Sequence, residues 1–117
     1  MSKGISREAS AFVSCSVSGT TYTLYTCPAN CTTRVPLVFI TNVGGTTTVS
    51  FQIYKASLVD TYHIIGGKNM TAAEYIQLSD PTGMIIEAGD RLEIVATGGT
   101  VHVDAICTVI ETFKPVG

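Results

Sequence analysis

The chain has 117 residues, enough for one domain with a packed core and too few for two. Nine acidic and seven basic residues leave a net charge of -2, and the basic ones stand singly at Lys3, Arg7, Arg34, Lys55, Lys68, Arg91 and Lys114, so no cationic stripe is offered to phosphates and nucleic acid is not an expected partner. No window approaches the roughly 18 consecutive apolar residues of a membrane span, and MSKGISREAS lacks the apolar run of a signal peptide, which predicts no membrane partner, folding in a cytoplasm, and cysteines kept reduced unless something holds them.

Residues 1–10 are small, polar and charged and read as a flexible arm, with residues 11–117 forming a single domain. Residues 11–18 alternate, Val13, Cys15 and Val17 against Phe12, Ser14 and Ser16, as in a strand with two unlike faces. Ser18-Gly19 turns the chain into a second strand over 21–26, which Cys27-Pro28-Ala29-Asn30-Cys31 breaks, because proline cannot donate to a ladder and asparagine tolerates a turn.

Residues 34–54 read as two apolar strands hinged as a hairpin on Val43-Gly44-Gly45-Thr46. In the first arm Val35, Leu37 and Phe39 oppose Val38 and Ile40, which predicts a strand covered on both faces; in the second, Val49, Phe51 and Ile53 alternate with Ser50, Gln52 and Tyr54. A strand over 60–65 is expected to end at Gly66-Gly67, with Lys68 to Thr71 in a loop. Residues 72–78 suit helix or strand locally and are assigned to strand by their short length and neighbours.

Asp80-Pro81-Thr82-Gly83 predicts a turn. After it come an apolar stretch from Met84, a corner at Ala88-Gly89-Asp90 and a strand with Leu92, Ile94 and Ala96 on one side. Gly98-Gly99 makes a last hairpin turn into a closing strand with Val101, Val103, Ala105, Cys107 and Val109 on one face. About eight short strands without a helix predict an all-β fold, an antiparallel two-sheet β-sandwich of jelly-roll or Ig-like type, with a closed small barrel as the alternative.

Chemistry is sparse. Cys27 and Cys31 share one turn, but zinc would need two more ligands and a redox motif two intervening residues rather than three; a disulfide between them is the chemistry this spacing allows in oxidising surroundings. His102 and Asp104 share a strand face as a carboxylate-oriented imidazole would, yet no turn presents a nucleophile. Glu87, Asp90 and Glu93 surround one corner without the spacing of a calcium loop and with Arg91 among them. No catalytic residue, metal or cofactor is expected.

The order of segments resembles a known group. Tyr25-Thr26-Cys27-Pro28-Ala29 is followed by an apolar strand ending in Ile40-Thr41-Asn42, a threonine-rich strand, an irregular middle, and an Ile-x-Ala-Gly-Asp-x-Leu element at 86–92 leading into the closing strand. This is similar to the small β-sandwich structural proteins of tailed bacteriophage particles, such as capsid decoration or cement proteins and tail or neck accessories. The Cys27/Cys31 pair and the very apolar strand at 35–40 depart from that group's pattern and leave the particular role open. The resemblance implies a non-enzymatic virion subunit, assembled in a host cytoplasm, that binds a major capsid protein or other virion subunits and repeats as a homo-oligomer, with a trimer favoured.

Contacts on that reading fall to the arm and to the loops at 27–33, 43–46 and 66–71, with Asn30, Arg34, Asn42, Lys68 and Asn69 at or beside them. Tyr25, Tyr54 and Tyr62 are expected to be exposed anchors, since aromatics concentrate interface energy. A carbohydrate-binding module is the alternative of another class; it needs exposed aromatics clustered on one face, and the chain has no tryptophan.

Overall fold

The computed structural model describes residues 5–115, without the side chains of Pro81 and Thr82. Eight strands follow one another: β1 (Ile5–Cys15), β2 (Thr21–Thr26), β3 (Cys31–Asn42), β4 (Thr47–Lys55), β5 (Asp60–Met70), β6 (Tyr75–Glu87), β7 (Arg91–Gly98) and β8 (Val103–Phe113). They form two four-stranded sheets in the orders β1-β8-β3-β6 and β2-β7-β4-β5, with every pairing antiparallel. The chain changes sheet at every connection except β4–β5, and the last strand returns beside the first, which makes the β-sandwich a jelly roll.

That interleaving corrects the hairpin expected at 43–46. β3 and β4 lie in different sheets, and of all consecutive strands only β4 and β5 pair with each other. Strands with one apolar face each are satisfied equally by pairing edge to edge or by facing each other across a core, and here Val38 and Ile40 of β3 face Val49 and Phe51 of β4 within one buried cluster. Leu92, Ile94 and Ala96 of β7 and Val103, Ala105, Cys107 and Val109 of β8 complete it.

Three further expectations change. The arm predicted at 1–10 is strand over Ile5–Ser10, in register with β8 from Ile5↔Phe113 to Ser10↔Thr108, because a ladder needs backbone partners rather than apolar side chains; residues 1–4 lie outside the described residues. Gly66-Gly67 does not end β5: the strand runs on to Met70, its register against β4 shifting near Val49 and Phe51 with Gly67 at φ 80°. The Asp80–Gly83 turn signal lies inside β6, at the bulge where its register with β3 jumps between Val35 and Leu37. Pro36 sits in a central strand only because of that bulge. Gly83, at φ 69°, leaves room for it, since a Cβ there would meet the Val35 carbonyl carbon and the Pro36 nitrogen at 2.9 Å.

Candidate interaction surface

The two ends of the sandwich are tied by different chemistry. At one end Asn42 is fully buried, and its Nδ2 donates to the carbonyls of Gly45 (2.8 Å), Met70 (3.1 Å) and Thr71 (3.0 Å) while its Oδ1 accepts from Gly44 N (3.1 Å). The expectation that Asn42 is an interface residue is therefore corrected: its amide is consumed in joining the β3–β4 and β5–β6 connections. Gly44 is needed beside it, because a Cβ would lie 2.6 Å from the Thr100 carbonyl oxygen.

At the other end two carboxylates do the joining. Asp90 is buried and accepts from Lys55 Nζ (2.5 Å), Ala56 N (3.0 Å) and Glu87 N (2.9 Å), pinning the β4–β5 and β6–β7 turns. Burial alone would raise its pKa, but these donors outweigh it and hold the carboxyl below its ordinary range. Glu111 accepts from Tyr25 Oη (2.5 Å) and from Arg7 Nε (2.6 Å), and these bonds together with the Arg7 charge likewise overcome burial and lower its pKa.

Tyr25 is thus not the exposed anchor expected: its ring is half-buried and its hydroxyl lies 2.9 Å from Thr33 Oγ1 as well as on Glu111. The chain of polar contacts continues from Thr33 Oγ1 to Cys27 Sγ (3.2 Å) and Cys31 Sγ (3.5 Å). Both cysteines are buried thiols, and burial pushes Cys27 up to about 11.

The remaining predicted contact residues do not converge. Asn30, at φ 57°, is exposed on the β2–β3 turn. Tyr62, Lys68 and Asn69 are exposed along the edge strand β5. Tyr54 lies on the outer face of the second sheet with the Arg91 guanidinium 4.1 Å from its ring centre, and Arg91 and Gln52 both donate to Glu93 there. On that outer face Gln52, Tyr54, Arg91 and Glu93 engage one another.

The outer face of the first sheet is different. Register places Phe12 opposite Ile106 and Ile106 opposite Phe39, and Phe39 stacks on Tyr75 with ring centres 5.2 Å apart. Phe12 is 77% exposed, Tyr75 62% and Ile106 47%, so an apolar row open to solvent crosses all four strands. Phe12, Ile106 and Phe39 floor a groove of about 390 Å³ whose lining includes Ser14, Thr41 and Asp104. Asp104 Oδ1 accepts from Ser14 Oγ (2.5 Å) and lies 3.4 Å from His102 Nε2.

The sequence signal for this row was the double-sided apolarity of β3. Val38 and Ile40 are covered, whereas the outer side, Leu37 and Phe39, is only half-buried. Alternation within a strand does not flag Phe12, Tyr75 and Ile106, because each stands on the polar side of its strand with Ser14, Gln77 and Thr108 as its neighbours on that face, and only register lines them up. Among the described residues no three metal-ligating side chains converge.

No protein-family model matches the chain, and no curated protein sequence matches it at a significant level. Solved structures do share its fold. A subunit of the disulfide-linked pili that form Bacillus endospore appendages superposes with a TM-score of 0.61 at 9% identity, covering 97% of this chain and 93% of that one. A chain from infectious bursal disease virus, Gx strain, does so with a TM-score of 0.58 at 16% identity, over 96% of this chain and 33% of its own. A chain of T=1 particles derived from the same virus gives 0.59 at 15% identity, over 97% and 33%. The protein thus spans about a third of the length of these virus chains, and at such identities the likeness is one of fold.

Proposed function

We propose that the protein is a virion structural subunit of the tailed-phage kind, a decoration or cement protein that binds a major capsid shell and stabilises it. The observation that carries this reading is the open Phe12–Ile106–Phe39–Tyr75 row on a framework whose buried side-chain polar atoms are all hydrogen-bonded among the described residues. A rigid body with one unpaired apolar face is suited to many weak, repeated contacts on a lattice, which sum to high avidity. The fold it shares with chains of infectious bursal disease virus particles supports a place in a particle.

Copurification with particles, and a rise in the disruption temperature of undecorated shells on adding the protein, are the expected results. Absence from purified particles would overturn the reading, whereas presence only on tails or necks would move it to the accessory role. The trimer implied by the resemblance remains a candidate arrangement for the shell-bound form, to be read from the mass of the protein on and off particles.

A second reading, carbohydrate binding, is favoured by one observation: the groove has an aromatic floor, Phe12 and Phe39, and a rim of Ser14 and Asp104 suited to sugar hydroxyls. Glycan-array binding lost in Phe12→Ala would establish it, and a blank array would remove it.

A further inference from the structure

The two halves of β1 are held by different means. Its inner half ends in Cys15, which is fully buried, with Ala11 and Val13 half-buried before it and Ser14 bonded to Asp104. In the outer half, Ile5 to Ser10, only Ala9 is even half-buried. Apart from its ladder with β8, that half is held by a surface contact between the Ser6 and Thr112 hydroxyls (3.0 Å) and by Arg7, which bonds Glu111 and lies 5.2 Å from the Phe113 ring centre. An edge ladder with so little apolar cover opens more readily than the core strands.

Register places the thiols behind that half. Arg7, Glu111 and Thr33 form one row across β1, β8 and β3, and Ile5, Phe113 and Cys31 form the next, both on the inner side of the sheet. The Glu111 side chain is 3% exposed and that of Arg7 63%, so the guanidinium caps the row from solvent. Arg7 is also close enough to Tyr25 and Cys31 for charge on either to act on it. Cys27 enters from the end of the other sheet; its sulfur and that of Cys31 share the Thr33 hydroxyl and lie within hydrogen-bonding reach of each other.

We propose that Cys27 and Cys31 are a redox site, oxidised to a disulfide that staples the two sheets together, and that the outer half of β1 is its gate with the Arg7–Glu111 pair as the latch. While the gate is closed, both sulfurs are buried and out of reach of an oxidant. When Ile5 to Ser10 lift from β8, the flank between the sheets opens onto Glu111, Thr33 and Cys31. The Cys31 thiol gives its proton to water and attacks one sulfur of a small disulfide such as oxidised glutathione, expelling one glutathione thiolate. Cys27, deprotonated in turn, attacks the Cys31 sulfur of that mixed disulfide and expels the second. Two electrons pass from the cysteines to the glutathione pair and two protons go to solvent, which closes the balance. The inference concerns the chain alone and does not rest on the virion reading.

The test follows the full chain with oxidised glutathione at about pH 8, reading the loss of two hydrogens by intact mass. Arg7→Ala should speed disulfide formation about tenfold, the scale of one charge-assisted hydrogen bond, and raise hydrogen exchange over residues 5–10 but not over 38–40. Asn42→Ala, which weakens the far end of the sandwich, should leave the rate within about twofold of wild type, whereas oxidation through global unfolding would gain about thirtyfold. Cys27→Ser should stop at a glutathione adduct on Cys31. A rate indifferent to Arg7→Ala, an Asn42→Ala chain that reacts as fast as Arg7→Ala, or a Cys27→Ser chain that still loses two hydrogens or takes up no glutathione would each overturn the inference.

Discussion

One end of the sandwich is closed by a neutral amide and the other by two carboxylates. Asn42 has no proton to gain or lose near neutrality, so the contacts it makes among Gly44, Gly45, Met70 and Thr71 are indifferent to pH. Asp90 and Glu111 are buried acceptors whose bonds depend on ionisation. Equal burial therefore gives two ends of unequal sensitivity, and acid should open the carboxylate end first.

The largest effect tests that end directly. Asp90→Ala should destabilise the protein by about 3–4 kcal/mol, because it strands Lys55 and two backbone N–H groups at a buried site. Chemical denaturation at pH 7 measures it. A loss below about 1 kcal/mol would mean that the turns at 56–59 and 88–90 do not need this carboxylate.

At the opposite end Asn42→Ala should cost about 2–3 kcal/mol by taking the amide donor away from the Gly45, Met70 and Thr71 carbonyls and one of two acceptors away from the Gly44 N–H, which keeps the His102 carbonyl. The contrast sharpens when both variants are followed against pH. The Asn42→Ala deficit should stay constant from pH 7 to 4, whereas the Asp90→Ala deficit should shrink in acid, where the wild type loses the same bonds.

The acid response of the wild type has a definite sign. Glu111 is lowered from 4.5 and Asp90 from 3.8 in the folded state, so the stability they contribute is complete above those values and disappears as pH falls through the lower folded ones. Unfolding free energy should hold from pH 7 to about 5 and then decline, with the amides of Ala56 and Glu87 losing exchange protection before those of Asn42 and Ala73. Simultaneous loss at both ends would break the comparison. Glu111→Gln should flatten the decline without changing stability between pH 5 and 7 as much as Asp90→Ala does.

The smallest effect concerns the thiols beside Glu111. With Cys27 pushed up to about 11, little of that thiol is thiolate at pH 7 in the folded protein, and with both sulfurs buried the pair should resist exchange with oxidised glutathione. Refolding with that oxidant should form the Cys27–Cys31 disulfide, seen as an intact mass lower by the two lost hydrogens. Rapid oxidation of the folded chain would instead show that this end opens readily at neutral pH.

The period-two alternation of Val49, Phe51 and Ile53 and of Val103, Ala105, Cys107 and Val109 was enough to determine strands, their inner faces and an all-β sandwich, because the alternation is a property of each strand alone. Only the tertiary structure decided which sheet each strand joins, since a hairpin and a sheet-crossing corner bury the same apolar face and use the same Gly-Gly turn. It also decided that Asn42 is a core residue and Tyr25 an inward donor, for a polar side chain is buried only where distant backbone or carboxylate partners await it. The exposed row belongs to the same category. Phe12, Phe39, Tyr75 and Ile106 come from four different strands, and only register brings them together on one face.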